Sequence, residues 1–251
     1  MPHTRETPRP LASARVLIVG IGGLGTPCAM ALAAAGVGRL GLIDPDRVAV
    51  SNLHRQLLFE DEDVGRPKPV VAAERLTAAY PGVRVDTWQR CFTPGDADLG
   101  REFDVLVDGT DTVEAKFTVN DAAVTAGVPM VHAGVNGFRA QLMTVLPGTS
   151  ACYRCLFEEP PPLGEVPSCE SAGVTGPVVA LAGALQAAEA LRLLGAEPAL
   201  FADHLLVIDA ATATWRRVPL ARNPACAACG TGRGARSEPW GSGLAERSEA
   251  R

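Results

Sequence analysis

Between residues 15 and 46 the polarity of the chain switches in a telling order. An unbroken apolar run at 16–19 (Val-Leu-Ile-Val) has the composition of a strand covered on both faces. Glycines follow at Gly20, Gly22, Gly23 and Gly25, and a small-residue stretch at 24–35 predicts a helix. A second apolar run at 40–43 ends in Asp44. Strand, glycine turn, helix, strand and acid together make a nucleotide-binding βαβ unit. Its glycines let backbone N–H groups approach a phosphate at the positive end of a helix. Asp44, at a strand tip, is placed to accept hydrogen bonds from ribose hydroxyls.

Farther along, Ser51 is expected to cap a short helix carrying Asn52, Arg55 and Gln56. Lys68 heads a helix predicted over 68–79, which Pro81 and Gly82 end. The β-branched alternation of 83–88 predicts a strand. An apolar strand at 103–107 runs into Asp108-Gly109-Thr110-Asp111, followed by a helix over 112–126 and a strand at 129–132. Ligands of open α/β sheets sit at the carboxyl ends of strands, so Asp108 and Asp111 should reach the same crevice as the glycine turn. A strand at 140–146 with no helix before it predicts an antiparallel hairpin. Three consecutive prolines at 160–162 mark a connection, and a long apolar helix is predicted over 173–194. The runs 205–208 and 212–218 are expected to pair.

Composition narrows the function. The chain has 251 residues, 47% hydrophobic and 20% charged, the profile of an ordinary globular α/β domain. A net charge of −5 gives no footprint for nucleic acid or an anionic membrane. The most apolar segment, 174–194, contains Pro177, Gln186, Glu189 and Arg192, and reads as a core helix rather than a membrane span. No signal peptide is apparent, and the expected location is cytoplasmic. Residues 1–14 are expected to form a flexible arm, 15–230 a single domain and 231–251 a disordered, glycine- and charge-rich tail.

Asn52, Arg55, Gln56 and Lys68 then decide which nucleotide. Each basic residue read alone would be a solvated surface charge. Together with Asp44 before them and Asp111 after, they suit a triphosphate, whose reaction needs positive charge around its non-bridging oxygens. Hydride transfer on a dinucleotide has no use for them. Asp111, with Asp108 as a second candidate, would hold the magnesium ion.

At this point the sequence resembles the ThiF/MoeB/HesA family of ubiquitin-activating-enzyme-like adenylyltransferases. The matching stretches are RVLIVGIGGLG, LIDPDRVAVSNLHRQ, GRPK, DGTDTVEAKFTVND, CYRC, CESAGVTGPVVALAGALQAAEALRLL and NPACAAC, from Arg15 to Cys229 in order. The resemblance implies a Rossmann-like, mostly parallel α/β sheet flanked by helices, with an antiparallel C-terminal extension and a structural zinc site. It implies use of ATP and Mg2+ to adenylate the C-terminal glycine carboxylate of a small ubiquitin-like sulfur-carrier protein, releasing pyrophosphate. A sulfur donor or separate sulfurtransferase would then give the thiocarboxylate. Asp44 would hold the ribose, Arg55 and Lys68 the phosphates, Asp111 the magnesium, and Asn52 would make a polar contact at the phosphates. A homodimer is also implied. Relatives usually begin with an arginine-bearing helix of R-Y-x-R-Q pattern that reaches the partner's ATP. Residues 1–14 lack it, with Arg5 and Arg9 the available substitutes.

Of seven cysteines, four form two C-x-x-C pairs, Cys152/Cys155 and Cys226/Cys229, the spacing of a closed four-thiolate zinc site. Cys169 precedes the long helix, where the helix dipole favours a reactive thiolate, and relatives place a cysteine there that can link covalently to the carrier. Cys28 and Cys91 read as small apolar packers. Three other readings stay open: adenylation of a peptide or natural-product carboxylate, a nicotinamide-dependent oxidoreductase, and a catalytically silent binding module for ubiquitin-like proteins.

Overall fold

The computed structural model describes residues 10–161 and 173–230. Eight strands form one sheet in the order β3-β2-β1-β4-β5-β6-β7-β8. They are β1 (Arg15–Val19), β2 (Arg39–Ile43), β3 (Arg84–Trp88), β4 (Val105–Asp108), β5 (Met130–Asn136), β6 (Arg139–Val145), β7 (His204–Asp209) and β8 (Thr214–Pro219). The first five pair in parallel and the last three antiparallel. The change of direction falls where expected, at the β5–β6 hairpin, because no helix intervenes to carry the chain back across the sheet.

Helices α1 (Gly25–Ala34), α2 (Lys68–Ala79), α3 (Ala97–Gly100), α4 (Val113–Ala126), α5 (Tyr153–Leu156) and α6 (Gly176–Leu194) cover both faces. Along β1 the side chains alternate between the two layers. Val16 and Ile18 pack with α1, α2 and α6, while Leu17 and Val19 pack with α4 and the cysteine pairs. Both sets are buried, which is why the strand reads as a continuous apolar run. The forward half of α6 joins a third cluster with β5, β6 and β7. Among the described helices, α6 alone has the length and apolarity to cross a membrane. Its polar residues look inward: Gln186 and Glu189 are buried and bonded within the core.

Three expectations are corrected. Residues 10–14 are packed rather than loose: Leu11–Ser13 is a 3-10 turn whose Leu11 carbonyl accepts from Gly38 N at 2.9 Å. Ser51 does not cap; the 3-10 turn Val50–Asn52 starts after Ala49 without a side-chain cap. Cys91 is exposed, on the loop after β3, while Cys28 is buried in α1 as expected. Thr112 does cap α4, its hydroxyl accepting from Ala115 N at 3.3 Å, and Gly127 closes that helix in the left-handed region at φ 70°. The parts of the expected arm and tail at 1–9 and 231–251 lie outside the described residues.

Candidate active site

The crevice lies at the tips of β1 and β4, where the strand order reverses, the place an open α/β sheet offers a ligand. Its floor is backbone against backbone. Gly20 sits at φ 89°, and a Cβ on it would stand 2.7 Å from the Gly109 carbonyl oxygen. A Cβ on Gly25 would stand 2.0 Å from the Gly20 oxygen. No side chain fits either position, so the turns after β1 and β4 touch and the N-terminus of α1 stays open to an anion.

Asp44 closes one side. It is buried, and its carboxylate accepts from Ile21 N at 2.7 Å and from Asp46 N at 2.8 Å, which fixes the glycine turn to the tip of β2. Burial pushes its carboxyl up, and the nearby Lys68 ammonium and the two amides offset part of that. Lys68 is 4% exposed, yet its Nζ reaches the exposed Asp46 carboxylate at 2.7 Å. A buried ammonium needs such a partner.

The turn bearing Arg55 and Gln56 lies over the glycines. A Cβ on Gly22 would stand 3.5 Å from Gln56 Nε2, and one on Gly23 would stand 3.5 Å from Arg55 Cγ. Arg55 is half-buried between that glycine and the start of α6, its Nη1 donating to the Ser51 carbonyl at 3.1 Å. Asn52 supports the turn by accepting from the amides of Arg55 and Gln56, both at 3.1 Å. Gln56 is buried, and its Oε1 has no hydrogen-bond partner among the described residues.

On the opposite side, Asp111 is exposed at the lip. Asp108 is placed differently from the expectation that it offers an oxygen to the crevice. It is fully buried, and both its oxygens are occupied beneath the site. Oδ1 accepts from Thr110 N at 3.0 Å and Thr110 Oγ1 at 2.6 Å, and Oδ2 meets His132 Nδ1 at 2.7 Å. Burial raises its carboxyl, but the Lys116 ammonium and these donors outweigh it and hold it at about 2. Asp108 therefore remains ionised. His132, pushed down by burial, is neutral at pH 7, donating from Nδ1.

Two further side chains, not anticipated, stitch the strand tips. Lys116 Nζ donates to the carbonyls of Thr110 at 2.6 Å and Ala133 at 2.9 Å. Gln186 Nε2 donates to those of Asp108 at 2.7 Å and Val131 at 3.0 Å. A polar residue in the middle of the apolar run of α6, three residues before Glu189, was the available signal for Gln186. Nothing in the helical pattern of α4 distinguishes Lys116 from a surface lysine.

The four paired cysteines converge on the far side of the sheet. Their sulfurs all lie within 4.8 Å of one another, with Sγ···Sγ distances of 3.9 Å for Cys152–Cys155, 3.6 Å for Cys152–Cys226 and 3.4 Å for Cys155–Cys229. Tetrahedral zinc with bonds of about 2.3 Å separates its sulfurs by about 3.8 Å, so the set fits a closed zinc site. Asn223 N donates to Cys155 Sγ at 3.4 Å, and Arg222 ties the second pair to the body through the carbonyls of Gly148 and Cys229. Cys169 lies outside the described residues.

A doubly wound sheet with a mononucleotide crevice on one side and a four-cysteine clip on the other defines a nucleotide-binding class of protein. The family model described as the ThiF family matches residues 5–228, and the chain belongs to that family. The sulfur carrier protein adenylyltransferase of Thermus thermophilus is 46% identical over 226 residues, covering 88% of this chain and 83% of that protein. The sulfur carrier protein ThiS adenylyltransferase of Escherichia coli is 42% identical over 226 residues, covering 88% and 87%. The adenylyltransferase and sulfurtransferase MOCS3 of Sus scrofa is 45% identical, and the chain spans 49% of its length. Among solved structures, E. coli MccB with ATP matches at a TM-score of 0.75 and 27% identity, over 88% of this chain and 68% of that one. Like the enzymes it resembles, the protein is a nucleotidyltransferase.

Proposed function

We propose that this protein uses ATP to adenylate the C-terminal glycine carboxylate of a small ubiquitin-like sulfur-carrier protein. The carboxylate oxygen attacks the α-phosphorus, the bond to the pyrophosphate oxygen breaks, and carrier acyl-adenylate and pyrophosphate result. No strong base is required, because the attacking carboxylate is ionised at neutral pH. Catalysis is then positioning and neutralisation of charge. One observation carries the reading: the Lys68 ammonium, buried beside Asp44 at the mouth of the glycine turn and held by an exposed carboxylate that anionic oxygens can replace. An oxidoreductase would have no use for that charge.

In this reading the amides of the turn at Gly22, Gly23 and Gly25 receive phosphate oxygens, while Gly20, its amide held by the Ile43 carbonyl at 2.8 Å, gives the turn its tight bend, and Asp44 takes the ribose. Arg55 and Lys68 neutralise the phosphates, and Asn52 and Gln56 complete the polar contacts. Asp111, a hard oxygen donor at the lip, would hold a magnesium ion, which would supply positive charge to the phosphates. The cysteine clip would hold zinc with no open coordination position and serve the fold. A sulfur donor acts afterwards on the acyl-adenylate to give thiocarboxylate and AMP, with Cys169 as the residue for a covalent link to the carrier. A homodimer in the cytoplasm is part of the same reading.

The test is ATP–pyrophosphate exchange with purified carrier candidates. Exchange that requires a carrier ending in glycine supports the proposal. Exchange with a short peptide alone favours a peptide carboxylate instead. Absence of exchange with every carrier, together with binding of a nicotinamide cofactor, defeats it.

A further inference from the structure

The floor of the crevice contains a buried histidine that the adenylation chemistry does not use. His132 is 1% exposed, on β5. Its Nδ1–H points to Asp108 Oδ2 at 2.7 Å, and its ring lies 4.7 Å from that of Tyr153, tilted by 53°. Tyr153 is itself fixed, its amide donating to Asn120 Oδ1 at 2.9 Å. The other nitrogen, Nε2, has no hydrogen-bond partner among the described residues. The bond to Asp108 is therefore the ring's one hydrogen bond among the described residues.

What it holds is the carboxylate that shapes the next turn. Asp108 Oδ1 bonds both the amide and the hydroxyl of Thr110, and Asp111 follows directly. Thr110 N would lie 2.9 Å from a Cβ on Gly20, so this turn rests against the end of β1. Without His132, Oδ2 keeps only Lys116 Nζ, at 3.6 Å beyond a good hydrogen bond. A buried carboxylate one donor short rotates toward the ammonium, and Thr110 loses its anchor.

We propose that His132 is a positioning residue that, through Asp108 and Thr110, sets where Asp111 stands relative to the polyphosphate. This rests on the adenylation reading above. It predicts a selective defect: the polyphosphate and its metal depend on the turn at 109–111, whereas the ribose end depends on Asp44.

The experiment measures equilibrium binding of a non-hydrolysable ATP analogue and of AMP to the full chain, each across a magnesium titration. The proteins are the wild type, His132→Leu, His132→Asn and Thr110→Val. His132→Leu is expected to weaken analogue binding roughly tenfold or more, the scale of a lost hydrogen bond to a charged group, and to raise the magnesium needed for half-saturation. AMP binding should change less than about threefold. His132→Asn, whose amide nitrogen reaches the place of Nδ1, should recover most of the loss. Thr110→Val removes the hydroxyl contact from outside the core and reports the same selectivity should the leucine variant not fold. Variants that bind the analogue as the wild type does overturn the proposal, and so does equal loss of AMP and analogue. A wild-type protein that binds neither nucleotide overturns the adenylation reading, and this inference with it.

Discussion

Gly25 faces the Gly20 carbonyl so closely that a methyl group on Gly25 would stand 2.0 Å from the oxygen. Both partners are backbone, so nothing can rotate aside. Gly25→Ala should cost more than about 2 kcal/mol and abolish nucleotide binding. Gly36 is the control. It lies at φ 90° with nothing within 4 Å of the added atom, so Gly36→Ala should cost roughly 1 kcal/mol, through backbone conformation alone, and leave nucleotide binding intact. Thermal melts and nucleotide titrations on the pair separate the two mechanisms.

Lys68→Met should cost modest stability, because the buried Asp44 carboxylate loses the ammonium that offsets its burial although Asp46 is left exposed to water. The exchange reaction, in contrast, should fall by roughly 10²–10³-fold as transition-state charge loses its partner. A variant that retains full exchange would remove Lys68 from the chemistry.

The cysteine clip should carry one zinc per chain, read by elemental analysis. Complete chelation, or Cys226→Ser, should lower the melting temperature by several degrees, because the metal joins the 152–155 turn to the 226–229 turn across the sequence. An unchanged melt after verified metal removal would contradict the structural role.

Acid should act through Asp108 and Asp96. Each is held at about 2 in the folded chain, below the ordinary value near 3.9. For Asp108, burial works upward and Lys116 with its hydrogen-bond donors works downward more strongly. For Asp96 the Arg90 guanidinium is the main cause. A carboxyl depressed by folding stabilises the native state above its unfolded value, and that contribution is lost as pH falls toward the folded one. The urea midpoint should therefore be steady near neutral pH and drop between about pH 4 and 2. Lys116→Met lifts the folded value of Asp108 toward the unfolded one, so it should lower the midpoint at neutral pH and shrink the drop between about pH 4 and 2; a profile identical to the wild type would contradict the assignment.

Much of this was legible beforehand because it is local. The apolar runs of β1, β2 and β4, the hairpin and the helix headed by Lys68 follow from periodicity and punctuation within a few residues. The two C-x-x-C pairs announced themselves by spacing. Where long-range packing decides, sequence was silent. Asp108 has the look of a ligand residue at a strand tip, and only the histidine and lysine folded under it show that its oxygens are taken. Cys91 looked like a packer because its small, apolar side chain matches one, but the loop after β3 leaves it outside. Residues 10–14 have an arm's composition, yet the glycine at position 38 leaves room for their backbone to lie against it.

Lys116 and Gln186 bridge the tips of β4 and β5 from helices on opposite faces of the sheet. Two strands riveted from above and below form an anvil rather than a jaw. The floor under an incoming polyphosphate is thus set in place from both layers before any nucleotide arrives.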